Sequence, residues 1–327
     1  MNQDILLLDE ILPPFEGPEK KLEIILFEPK KGIRENEDGR WNRVVAASRA
    51  DILSRVSTEA MDAYLLSESS LFVWEDRVLM ITCGRTTLVK AVPEILEIVG
   101  KENVAFVFYE QKNFLFPERQ PSHFEQDVSE LYRRFPGKYY KLGPGNFDHV
   151  NVFYWSHAAE TPEGDATLQL LMHQLPVDAL GPFCVRRDFG PAQADRESGL
   201  DRLYDLPLAR DGYLFDPCGY SLNAVGGTEY YTVHVTPQPA GSYVSFETNI
   251  FEPDFSDTIR RVVEIFRPGR FSVVLTTSMA EPTLSTHETV AQGPAGYLPA
   301  DKSLYEFDCG YSVTFLNYFS RKEDSHG

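Results

Sequence analysis

The stretch Ala63-Tyr64-Leu65-Leu66-Ser67-Glu68-Ser69-Ser70-Leu71-Phe72-Val73 decides how this chain is read, because an apolar, strand-like run is broken by four polar residues that a buried strand does not need. Tyr64 to Leu66, Leu71 to Trp74 and Val78 to Thr82 read as strands, with Glu75-Asp76 as the reversal between the last two. The polar patch therefore lies inside a sheet region. Taken alone it is a bulge or tight turn whose hydroxyls satisfy nearby amides. It also carries a possible reaction. A serine hydroxyl held against the carbonyl of the preceding residue can attack it, turn the amide into an ester and open a route to backbone cleavage.

Outward from this stretch, the pattern mixes strands and amphipathic helices. Leu22 to Phe27 reads as a strand, Trp41 to Val56 as a helix carrying Trp41, Val44, Val45, Ile52 and Leu53, and Thr86 to Val99 as a helix weakened at Pro93. Val104 to Tyr109 is a strand. Ser122-His123-Phe124-Glu125 has the form of a capping box opening a helix with Phe124, Val128, Leu131, Tyr132 and Phe135 on one face. Strands follow at Val150 to Ser156 and Thr167 to Met172, and the turn-rich stretch from Asp178 to Asp211 reads as loops. Tyr230 to Val235 and Tyr243 to Glu247 form a strand pair, Ser256 to Phe266 a helix and Phe271 to Thr276 a strand. The second half repeats the style of the first, which predicts an α+β protein with helices over the outer sheet faces and no separating linker.

At 327 residues and 43% hydrophobic content the chain can bury a large core. Its formal net charge of −18 repels nucleic-acid backbones and anionic membranes and favours cationic small molecules. Met1 to Glu10 has no Lys or Arg that would mark a targeting leader, and no apolar run is long enough to span a bilayer. Cys83, Cys184, Cys218 and Cys309 lack metal-ligand spacing, so free thiols, no metal and a cytoplasmic location are expected.

Several segments are ambiguous one by one. Phe15-Glu16-Gly17-Pro18-Glu19-Lys20 reads as a solvated acidic turn, Thr82-Cys83-Gly84 as a buried thiol, Phe215-Asp216-Pro217-Cys218-Gly219-Tyr220-Ser221 as a loop, and His234 as a hydrogen-bonded strand histidine. Together with Lys112-Asn113-Phe114, Arg196-Glu197-Ser198-Gly199, His234-Val235-Thr236-Pro237 and Ser245-Phe246-Glu247-Thr248-Asn249, they occur in order along nearly the whole chain. In this the sequence resembles the eukaryotic-type S-adenosylmethionine decarboxylase family, most specifically in Leu66-Ser67-Glu68-Ser69-Ser70 followed by Thr82-Cys83-Gly84.

The resemblance implies a single catalytic domain, 1–327, folded as a four-layer α/β/β/α sandwich of two antiparallel sheets with an internal half-repeat. It implies cleavage between Glu68 and Ser69 into a β chain, 1–68, and an α chain, 69–327, with Ser69 becoming a pyruvoyl cofactor that forms a Schiff base with S-adenosylmethionine. His234 and Ser221 match the family's processing residues, Cys83 its proton donor and Glu16 and Glu19 its active-site acids. Phe15 and Phe215 match the aromatics around adenine, with Glu68 also at the substrate, and the product feeds spermidine and spermine synthesis. The αβ unit is expected as a monomer or a pair.

Two departures stand out. The acid that holds the ribose hydroxyls falls on Gln238, which offers neutral hydrogen bonds in place of charge-assisted ones. Of the acidic cluster that binds putrescine as activator in some members, Glu23, Asp165, Thr167 and Glu247 match, whereas Gln169, Ile81 and Gln111 replace an acid, a lysine and an arginine. These departures leave two alternatives: a pyruvoyl-dependent decarboxylase of ornithine or arginine, or a non-catalytic regulatory homologue.

Overall fold

In the computed structural model, residues 15–157, 161–162, 164–238, 241–278 and 283–321 are described; the leader reading at Met1 to Glu10 lies outside them. Among the described residues, sixteen strands form two antiparallel sheets of eight. The first contains β1 (Lys20–Leu26), β2 (Ile52–Ser57), β3 (Met61–Leu66), β4 (Ser69–Trp74), β5 (Arg77–Thr82), β6 (Val104–Lys112), β7 (Lys138–Leu142) and β8 (Val150–Ser156). The second contains β9 (Ala166–His173), β10 (Ala209–Leu214), β11 (Tyr220–Gly226), β12 (Glu229–Thr236), β13 (Tyr243–Thr248), β14 (Arg270–Ser278), β15 (Tyr297–Glu306) and β16 (Tyr311–Ser320). The order 2-3-4-5-1-6-8-7 in the first sheet recurs as 10-11-12-13-9-14-16-15 in the second. Each number is raised by eight, so the half-repeat holds strand for strand.

The sheets face each other and helices cover their outer sides. Phe72, Trp74, Leu79 and Ile81 of the first sheet meet Val225 and Tyr230 of the second, while Phe106 and Phe108 pack with Tyr243, Val274 and Phe315. On the outer face of the first sheet lie α1 (Arg40–Ala47), α2 (Ala91–Val99) and α3 (Phe124–Tyr132). On the second lie α4 (Val177–Leu180), α5 (Pro191–Ser198) and α6 (Ser256–Phe266), with α7 (Thr283–Thr289) packed beside β14. Inner strands such as β3 and β4 are covered on both faces, and every residue in them is buried. The edge strand β2 alternates in exposure along its length.

Some element boundaries differ from the sequence reading. α1 ends at Ala47, and Arg49 turns the chain through a positive φ of 67°, so Ile52 and Leu53 belong to strand β2 and not to a helix. The capping box moves by one residue: His123 opens α3, and its backbone N–H donates to Gln126 Oε1 at 3.0 Å. Tyr132 points to solvent. Pro93 sits in the first turn of α2, where a missing N–H costs nothing. The 178–211 segment contains α4 and α5, the latter started by Pro191 and stopped by Gly199 at φ 90°.

Phe72 is fully buried, with its ring 4.4 Å from that of Tyr230 on the opposite sheet. Phe72→Ala is expected to destabilise the protein by about 3–5 kcal/mol, read as a lowered urea midpoint; an unchanged midpoint would contradict the sheet-to-sheet packing.

Candidate active site

The polar patch folds as a two-residue reversal. Leu66 pairs with Ser69 across the β3–β4 hairpin, leaving Ser67 and Glu68 as its turn. Tight hairpins favour Gly or Asn at their tips; with Ser-Glu here, Ser69 is held at φ 113°, a region that L side chains rarely occupy. Ser69 is also buried, 1% exposed. The Glu68 carbonyl, the group its hydroxyl would attack, accepts a hydrogen bond from the Cys83 backbone N–H at 3.0 Å.

Four other segments converge on this hairpin. Residues 15–19 lead into β1, Cys83 follows β5, residues 215–221 lead into β11, and His234 to Gln238 end β12. Phe15, Glu68, Ser69, Cys83, Phe215, Ser221, His234 and Gln238 line one cavity of about 380 Å³. Gly84, at φ 62°, has no room for a side chain, since a Cβ would lie 2.4 Å from Glu68 Oε2 and 2.9 Å from the Phe15 ring.

The electrostatics follow from burial. Glu19 accepts from Ser245 Oγ at 2.7 Å and Ser69 Oγ at 3.5 Å, and burial holds its carboxyl up to about 8. Burial likewise lifts Glu68 to about 7. The Cys83 thiol, 4.0 Å from Glu68 Oε2, is pushed well above its usual range by burial and by the Glu68 and Glu19 carboxyls, so it keeps its proton at neutral pH. Burial lowers His234 to about 3, so its imidazole is neutral. His234 Nδ1 shares a hydrogen bond of 2.9 Å with Ser221 Oγ, and its Nε2 lies 3.0 Å from Thr232 Oγ1 and 3.4 Å from Ser70 Oγ.

Glu16 is placed differently. Its carboxylate oxygens accept the backbone N–H groups of Leu115 and Phe116, each at 2.7 Å, and it lines an adjacent cavity of about 260 Å³ with Arg85 and Arg119. It ties the 113–120 segment to the site instead of entering the main cavity.

The profile of the adenosylmethionine decarboxylase family matches residues 13–319. The chain belongs to that family. The S-adenosylmethionine decarboxylase proenzyme of Dictyostelium discoideum is 33% identical, with 93% of this chain and 85% of that protein covered. The Onchocerca volvulus proenzyme is 36% identical over 81% of this chain and 76% of its own length. A crystal structure of a Trypanosoma brucei AdoMetDC monomer superposes with a TM-score of 0.62 at 28% identity, covering 77% of this chain and 99% of that one.

Against the family's acidic cluster, the structure brings Glu23, Asp165 and Glu247 together but supplies its own cations. Arg77 Nη1 lies 3.0 Å from Glu23 and 2.9 Å from Asp165, and Lys21 Nζ lies 2.9 Å from Glu247. Tyr311 donates to Asp165 at 2.7 Å and Tyr230 to Glu247 at 2.5 Å. Thr167 is buried on β9. Lys21 and Arg77 escaped the sequence reading, although a lysine inside the apolar strand Lys20–Leu26 signals a buried pair.

The expectation of four free thiols is overturned in part. Cys184 and Cys218 form a disulfide, brought together by an isolated antiparallel bridge that spans 34 residues of sequence. Cys83 and Cys309 are free. Among the described residues no cluster of His, Cys, Asp and Glu could hold a metal, and no helix is long and apolar enough to cross a membrane.

Because Glu19 holds its proton up to about 8 in the folded state, against an ordinary value of 4.5, that proton's contribution to stability is complete below pH 4.5 and is lost as pH rises through about 8. Urea midpoints measured across this range should therefore fall for the wild type relative to Glu19→Gln as pH rises. Parallel curves would show that Glu19 ionises as it does in the unfolded chain.

Proposed function

We propose that this chain is a self-processing S-adenosylmethionine decarboxylase, a carbon–carbon lyase whose product supplies aminopropyl groups for spermidine and spermine synthesis. The observation that carries this reading is Ser69 itself: strained, buried, next to a carbonyl polarised by the Cys83 N–H, and sharing one cavity with Cys83, His234, Phe15 and Phe215.

Self-processing follows from these contacts. The Ser69 hydroxyl adds to the Glu68 carbonyl, where the Cys83 N–H stabilises the developing oxyanion. The C–N bond then breaks, the hydroxyl proton ends on the Ser69 nitrogen, and an ester replaces the amide. Loss of the amide also frees Ser69 from its strained φ. Thr232 can donate its hydroxyl proton to Leu222 O at 2.9 Å or Asn223 Oδ1 at 3.0 Å. His234 Nε2 therefore carries the imidazole proton, and Nδ1, facing Ser221, is the basic nitrogen. Acting through Ser221, it removes the Ser69 α-proton; elimination releases the Glu68 carboxylate and leaves dehydroalanine. Hydrolysis with loss of ammonia gives the pyruvoyl end of the 69–327 chain, partnered by the 1–68 chain in one domain.

The residues around Ser69 fit such a group, since they enclose it among neutral, proton-holding side chains. When present, it supplies an electron sink for the pair released as CO2 leaves. Phe15 and Phe215 offer aromatic faces to the adenine and to a sulfonium. Cys83, protonated at neutral pH, holds the proton destined for the substrate α-carbon. Glu19 and Glu68 hold further protons at the reacting end.

Intact-mass measurement tests the first half: the wild type should give two chains, the larger lacking an N-terminal amine, and Ser69→Ala one uncut chain. Uncut wild-type protein would refute self-processing. Offered S-adenosylmethionine, ornithine and arginine separately, the processed protein should release CO2 from the first alone; release only from a basic amino acid would refute the substrate assignment.

The ion pairs of Lys21 and Arg77 support a cluster that needs no diamine, because a putrescine dication would meet carboxylates already neutralised. The rate of CO2 release is expected to stay flat across a putrescine titration, and a several-fold rise would overturn this reading.

A further inference from the structure

Asp216 lines the main cavity with Phe15, Phe215 and Gln238, and neither the motif reading nor the processing chemistry uses it. Its backbone is held on both sides. The Phe215 N–H donates to Gly219 O at 2.9 Å and closes a turn around Asp216. The Val185 N–H donates to Pro217 O and the Gly219 N–H to Phe183 O, each at 2.9 Å, and the Cys184–Cys218 disulfide lies between these two bonds. Within that tethered loop the carboxylate is exposed, and among the described residues it has no hydrogen-bond or ion-pair partner.

Gln238 faces the same cavity with half of its amide already used, because Oε1 accepts the Phe15 backbone N–H at 2.6 Å. What remains is an NH2 group, which only donates, and the second lone pair of a neutral oxygen that is already engaged. A ribose diol presents two O–H donors and needs acceptors. Glu68, the other acid lining the cavity, sits at the reacting end beside Cys83 and Gly84. Asp216 is left as the unpartnered carboxylate beside Phe215, the phenylalanine read as an adenine partner.

Resting on the reading of the cavity as a nucleoside site, we propose that Asp216 is the residue that recognises the substrate's ribose, its carboxylate accepting hydrogen bonds from the vicinal hydroxyls while the Gln238 amide donates to a ribose oxygen. The disulfide and the three backbone bonds preorganise this carboxylate, so little ordering is required when the nucleoside enters.

The test uses Asp216→Asn in the full chain. Self-cleavage by intact mass and kcat should stay at wild-type level, while KM for S-adenosylmethionine rises about tenfold, as expected when a charge-assisted bond becomes a neutral one. Calorimetric binding of 5′-methylthioadenosine, which carries no charge, should weaken by a similar factor, whereas its 2′,3′-dideoxy counterpart should bind wild type and variant alike. Adding Gln238→Glu to Asp216→Asn should restore most of the lost affinity. Unchanged KM and unchanged nucleoside binding in Asp216→Asn overturn the assignment while CO2 release leaves the decarboxylase reading intact. A raised KM with unchanged methylthioadenosine binding also overturns it, pointing to attraction of the sulfonium charge instead. A wild type that neither binds the nucleoside nor releases CO2 removes both readings together.

Discussion

Two sheets packed face to face, each backed by helices, leave the central strands with no solvent side, and this constraint governs where polar groups can sit. A buried hydroxyl or charge costs free energy unless it is paired. Some polar residues of the inner strands are therefore locked into mutual contacts, as Lys21 is with Glu247, and others are gathered at strand ends where a cavity opens. The candidate active site is of the second kind. It uses the β3–β4 turn and the ends of β1, β5, β11 and β12, so that both halves of the repeated fold contribute walls.

Burial also sets the protonation states the proposed chemistry requires. The same desolvation that raises the Glu19, Glu68 and Cys83 pKa values lowers that of His234. The surroundings of Ser69 are thereby left largely neutral, with a thiol that keeps its proton and an imidazole free to accept one. The strain at Ser69 belongs to the same design. The pairing of Leu66 with Ser69 allows only a short turn, and no glycine relieves it.

Much of this was legible in the sequence because chemistry and hydrophobic patterning are local properties. Apolar runs such as Leu71 to Trp74 revealed strands, and the order of short motifs pointed to one family. Where the reading failed, tertiary context outweighed local pattern. Ile52 and Leu53 continue a helical spacing from Trp41, but the positive φ at Arg49 ends the helix and sheet pairing takes them over. Tyr132 fits an apolar face that the fold leaves in solvent.

By itself the sequence pointed to many of the strands and helices, to the repeat in style and to a candidate reactive set around Ser69, since these depend on residue chemistry and spacing within single elements. Tertiary structure decided which distant groups neutralise one another. Arg77 and Lys21 fill an acidic cluster assembled from β1, β13 and the residue before β9, and Cys184 finds Cys218 through a bridge that no spacing announces. Only the packed fold brings Gln238 against the Phe15 backbone and leaves the Asp216 carboxylate free in the same cavity. The physical reason is that pairing energies fall off within a few ångströms, and separation along the chain says nothing about distances on that scale.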